Sequence, residues 1–130
     1  MDAIRLLEQG HHQLEQLFDQ FERASEQNRQ PLVQRICNEL LVHAQIEQEI
    51  FYPAVRSGLG QDGEDLVEES LTEHQQIGRL VDEVRRMSSS DQTLSAKLTV
   101  LMEEVRHHVD EEESEMFPDR KSTRLNSSHT

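Results

Sequence analysis

The chain has 130 residues, of which 26 are acidic and 13 basic, for a formal net charge of −13. Such a field repels phosphate backbones and anionic lipid, which speaks against nucleic-acid and membrane partners; most of the carboxylates read as a solvated exterior. With no Trp, four Phe and one Tyr, the core falls to Leu, Ile and Val. No apolar run approaches the roughly 20 residues of a membrane span, the opening MDAIRLLEQGHH has no signal-type apolar region, and Cys37 has no partner for an intrachain disulfide. A single cytoplasmic domain is the expectation.

A first helix is predicted from about Asp2 to Ser25, with Ile4, Leu7, His11, Leu14, Phe18 and Phe21 on one stripe. Periodicity puts His11 on this stripe and His12 on the polar side. A second helix starts near Pro31, a favoured first helical position, and carries Ile36, Leu40, His43, Glu47 and Ile50. Pro53 ends or kinks it, and Gly58, Gly60 and Gly63 form a turn-rich connection. A third helix begins between Asp62 and Glu64 and aligns Val67, Leu71, His74, Ile77, Val81 and Val84. After Ser88–Ser89–Ser90–Asp91, with Ser90 or Asp91 as N-cap, a fourth carries Leu94, Leu98, Leu101, Val105, His108, Glu112 and Met116. His108 lies on that stripe and His107 beside it. Short links between long amphipathic helices predict an all-α, up-down-up-down antiparallel four-helix bundle.

Residues Asp119–His129 read DRKSTRLNSSH, which resembles a translated sequencing-adapter oligonucleotide. Acidic periodic sequence gives way there to basic, Ser-rich sequence. The domain is therefore read as residues 1–118, and 119–130 are set aside as an artefactual tail.

Each predicted helix thus places a histidine on its apolar stripe. His43 and His108 are each followed four residues later by a glutamate, Glu47 and Glu112, on the same face. One histidine on an apolar face is usually a core residue satisfied by a hydrogen bond. Six inward ligand-type residues need too many internal partners for that reading. Imidazole with carboxylate suits iron, manganese or zinc. Two six-coordinate irons bridged by both glutamates and an oxo or hydroxo group, with four histidines, keep positions open for water, a gas or another side chain. That predicts a reactive or sensory centre.

These residues resemble the haemerythrin-like, HHE cation-binding family across Asp2–Pro118. HHQLEQLF is similar to its opening motif, with His11 as ligand. NELLVHAQIEQEIFYPAV is similar to its second-helix signature, with His43 and Glu47. LTEHQQIGRL matches the third, at His74, and VRHHVDEEESEMFP the fourth, at His108 and Glu112. The resemblance implies a four-helix bundle holding two non-haem irons with an oxo or hydroxo bridge. It also implies binding or sensing of oxygen, nitric oxide, peroxide or iron, as in stress responses. Oxygen carriers of this family have a further histidine where Gly78 stands, and a His-to-Asp spacing of five in the last helix. Those departures shift the expectation from reversible oxygen carriage to autoxidation, peroxide or nitric oxide chemistry.

Tyr52 is a second-rank ligand candidate, because five α-helical steps put it about 140° around from Glu47; its other reading is packing beside Pro53. Glu111 and Glu113 are expected to face solvent, as are His12 and His107. Cys37 reads as a small buried residue. Two other functions compete with a gas- or peroxide-binding centre. One is a metal-dependent interaction or regulatory module without turnover, its protein partner unidentified. The other is a purely structural bundle.

Overall fold

The computed structural model describes residues 3–117. Pro118 and the tail reading at Asp119–His129 lie outside them. Among the described residues the chain is helical, with no strand. Helix α1 is Ala3–Arg23. A short 3-10 turn, Glu26–Asn28, leads into α2, Arg29–Ile46. Helix α3 is Tyr52–Arg85 and α4 is Leu94–Glu111. No helix among these residues is long and apolar enough to cross a membrane.

Two five-residue π-turns interrupt this plan, Glu47–Phe51 between α2 and α3 and Glu112–Met116 after α4. Each opens on a glutamate that follows a stripe histidine by four residues. In each, the backbone N–H of the residue after the turn, Tyr52 or Phe117, bonds back to that glutamate's carbonyl five residues earlier. A π-turn adds one residue to a helical turn and so rotates everything after it. This corrects the expected stripe of the second helix: Ile50 is 54% exposed, and Phe51, at 1%, takes the inward position.

The connection predicted at Pro53–Gly63 also differs. Pro53 sits in the first turn of α3, where its missing N–H costs nothing. The helix continues, and the break falls at Gly60 alone (φ 60°, ψ −132°). That left-handed backbone is open to glycine and strained for other residues. At Gly63 an added Cβ would lie 2.5 Å from the Val55 carbonyl oxygen, so only glycine lets the chain re-enter helix there.

Apolar burial is split in two. One cluster gathers Leu14, Phe18, Phe21, Ile36, Leu40, Val81, Leu98, Leu101 and Val105. The other gathers Ile4, Leu7, Phe51, Tyr52, Val55, Val67, Met116 and Phe117. In sequence, His11 falls between Leu7 and Leu14, His43 between Leu40 and Phe51, and His108 between Val105 and Met116. The polar residues thus form a layer between two apolar halves. Helix α1 packs on α2 and α3 on α4. Arg106 clamps α4 to α1 through Glu15 (2.8 and 3.2 Å) while covering the Phe18 ring.

Candidate metal centre

Helical spacing delivers His11, His43, His74 and His108 to one depth, and Glu47 and Glu112 enter from the first residues of the π-turns. His11, His43, Glu47 and Glu112 bring one donor atom each within 4.8 Å of one another. Glu47, His74, His108 and Glu112 do the same. The two glutamates belong to both groups.

Within each half, ring nitrogens face each other. His11 Nε2 and His43 Nε2 are 3.0 Å apart, and His74 Nε2 and His108 Nε2 are 3.1 Å apart. Each carboxylate spans the gap between halves. Glu47 Oε1 accepts from His74 Nε2 at 2.8 Å, while Oε2 lies 3.5 Å from His43 Nε2. Glu112 Oε1 is 3.3 Å from His11 Nε2, and Oε2 is 3.2 Å from His108 Nε2. Both glutamates are fully buried. Glu47 Oε2 and Glu112 Oε1 have no hydrogen-bond partner, an arrangement that is costly in an apolar interior. Four imidazoles and two shared carboxylates fit a pair of first-row cations as donor set, and the two orphaned oxygens are where cations would satisfy them.

A second layer orients the rings. His11 Nδ1 donates to Glu113 Oε2 at 2.8 Å, and His108 Nδ1 donates to Glu73 Oε1 at 2.6 Å. The Gln48 amide lies 3.1 Å from His74 Nδ1. Carboxylates on the outer nitrogen direct the inner lone pair at the site. His43 is seated differently: a Cβ on Gly10 would be 2.9 Å from its Nδ1, so the absent side chain makes room for the ring.

Tyr52 also enters the site. Its hydroxyl donates to Glu112 Oε2 at 3.0 Å and lies 3.1 Å from His74 Nε2 and 3.4 Å from His108 Nε2. The expected 140° offset fails because the intervening turn closes in five residues and brings Tyr52 back over Glu47. Glu113, expected to face solvent, is 43% exposed and from there still reaches His11 Nδ1. Glu73 and Gly10 were not singled out in the sequence; neighbours of ligands with ordinary helical composition carry no periodic mark. His12 and His107 lie outside the buried layer. The exposed His107 meets half-buried Glu111 (2.8 Å) and Glu73 at the edge of the layer.

The electrostatics follow the packing. Burial alone would raise the Glu47 carboxyl, but the His108, His43 and His74 rings gathered around it hold it well below the usual carboxylate range. Burial works against charging His108, and the carboxylates of Glu47 and Glu73 outweigh it, pushing its pKa up to about 9. Burial and the nearby His43 lower His11. Burial and the Glu47 charge push the Tyr52 phenol far above its ordinary value. Burial raises the Cys37 thiol to about 11, which keeps it protonated and unreactive.

The family described as Hemerythrin HHE cation binding domain matches residues 2–119. The chain belongs to that family. It is 29% identical over 117 residues, 89% of its length, to a protein named DNA nickase from Nostoc sp. (strain PCC 7120), and the match covers 32% of that protein. It is 30% identical over 80 residues, 62% of its length, to an uncharacterized hemerythrin-like protein of Schizosaccharomyces pombe, covering 39% of that relative. The chain thus spans about a third of the length of the curated relatives it matches. No solved structure matches it.

Proposed function

We propose that the protein is a cytoplasmic di-iron protein, folded as an up-down-up-down four-helix bundle of haemerythrin type, that binds or senses oxygen, nitric oxide or peroxide. His11, His43, His74, His108, Glu47 and Glu112 would hold two non-haem irons. Manganese and zinc suit the same donors. The observation that carries this reading is that each buried glutamate is shared between two histidine pairs. A purely structural polar layer has no use for two carboxylates aimed into the same gap with an oxygen of each left over.

When bound, the metals supply redox and Lewis-acid chemistry. The chain's own residues do the rest. Glu73 and Glu113 fix ring orientation, the two apolar clusters hold the layer from either side, and the Tyr52 hydroxyl stands where it can hold a proton against Glu112. The −13 charge opposes a DNA phosphate backbone, so the nickase name of one relative is not carried over.

Protein from iron-replete aerobic culture is expected to contain about two irons per chain and to absorb in the near ultraviolet through oxo-to-iron charge transfer. Metal-free protein from that culture would overturn the reading. A regulatory module without turnover is the second reading, favoured by the link between metal binding and folding at a buried donor set. Turnover assays with peroxide and nitric oxide separate the two.

A further inference from the structure

A cavity of about 330 Å³ opens directly over the donor layer. Leu40, Ile77, Val81 and Val105 wall it, and His43, Glu47, His74 and His108 form its polar floor. Gln45, Gln48 and Glu49 also line it, from the first π-turn and the end of α2. A water molecule occupies roughly 30 Å³ of liquid, so a diatomic gas would use only a small part of this space. Mostly apolar walls converging on a few fixed polar groups, at this volume, are the ordinary form of a small-molecule site.

Gly78 is the lining residue of α3 with the most free space around it. It lines the space one turn beyond His74, and a Cβ built there meets nothing within 4 Å. No packing contact therefore requires a glycine at this position, although a helix-interior glycine is unfavourable. Contrast Gly10, whose missing side chain is taken up by His43. The free space at Gly78 points to a ligand rather than to a packed neighbour.

Charge narrows the ligand. Glu49 at the cavity and the −13 net charge disfavour an anion, which would also lose its hydration against apolar walls. For a cation, the Glu47 carboxylate on the floor is already shared among His43, His74 and His108, the exposed Glu49 is the remaining lining carboxylate, and no Phe, Tyr or Trp face lines the space. An uncharged molecule with a single polar head satisfies both the walls and the floor.

We propose that this cavity binds a compact, uncharged apolar molecule carrying one hydroxyl or hydroperoxyl group, with the polar head against the imidazole and carboxylate floor and the body beside Gly78. The proposal deepens the functional reading, because the head faces the same centre; the cavity and its glycine carry it without reference to iron.

The test uses the full chain loaded with zinc, which is redox-silent, and 2-phenylpropan-2-ol as probe, followed by methyl chemical shifts in solution. Saturable shifts at Ile77, Val81 and Val105 are expected. Gly78→Leu, which fills the space, is expected to weaken binding roughly tenfold or more, and benzoate, of similar size but anionic, to bind at least as poorly. Leu41→Trp, at a 45% exposed lining position, supplies a second plug should Gly78→Leu not fold. Absence of saturable shifts in the unaltered protein overturns the proposal. Undiminished binding by the folded plugged variant, or equal binding of benzoate, does so as well. Iron content measured in parallel keeps the two readings apart: probe binding without iron loading upholds the cavity and sinks the di-iron reading, and iron loading without probe binding does the reverse.

Discussion

The Tyr52 hydroxyl donates to Glu112 Oε2 at 3.0 Å, joining the start of α3 to a glutamate 60 residues later in the chain. That bond exists because the π-turn before Tyr52 swings the phenol inward, while the α-helical step from His108 sets Glu112 in the same layer. Tyr52 also touches His74 and His108, so it belongs to one half of the site and not the other.

Tyr52→Phe is therefore expected to destabilise metal-free protein by about 1 kcal/mol, the net worth of a buried hydrogen bond, since Glu112 Oε2 loses a donor. Iron content is expected to hold while the optical spectrum changes. Urea unfolding and the spectrum of the loaded protein check both parts; an unaltered spectrum would place Tyr52 in packing only.

Glu73→Gln replaces the charged acceptor that holds His108 Nδ1 at 2.6 Å. Loss of such an outer carboxylate typically lowers metal affinity by about 10- to 100-fold. Competition against a chelator measures it. Glu113→Gln, at a 43% exposed position, is expected to have a smaller effect, because solvent screens that contact.

Two glycines on the centre should respond oppositely to alanine. Gly10→Ala pushes a Cβ to 2.9 Å from His43 Nδ1 and is expected to cost about 1–3 kcal/mol as overpacking, with reduced metal content. Gly78→Ala meets open space and should be neutral or stabilising by up to about 1 kcal/mol, the helix-propensity difference. Thermal unfolding of the two variants beside the parent decides this.

Metal-free protein should be most stable near pH 6.5. His108 has its folded pKa raised to about 9 from 6.5; its contribution is complete below 6.5 and is lost as pH rises toward 9. His11 is lowered from 6.5; its contribution is present above 6.5 and is lost as pH falls below it. Glu47 is lowered from 4.5, so its contribution is present above 4.5 and is lost on further acidification. Melting temperatures across pH 4 to 10 test the profile. Metal binding must displace the His108 proton, so loading should raise the melting temperature and move the maximum to higher pH. Equal melting with and without metal would contradict that.

What the amino-acid sequence determined by itself is the choice of inward residues. A period of 3.6 separates His11 from His12 and His108 from His107, and it pairs His43 with Glu47 and His108 with Glu112, because all of these lie within α-helix or at its last turn. The folded structure decided what lies beyond that regular period. The π-turns displace Ile50 in favour of Phe51 and swing Tyr52 inward, since a five-residue turn is set by how the chain packs around Glu47 and leaves no trace in apolar spacing. Tertiary packing likewise decided that Glu73 and Glu113 steady the rings of His108 and His11, and that Gly10 yields its space to His43. Those contacts join residues from different helices, and a one-dimensional pattern holds no information about which helix faces which at a given height.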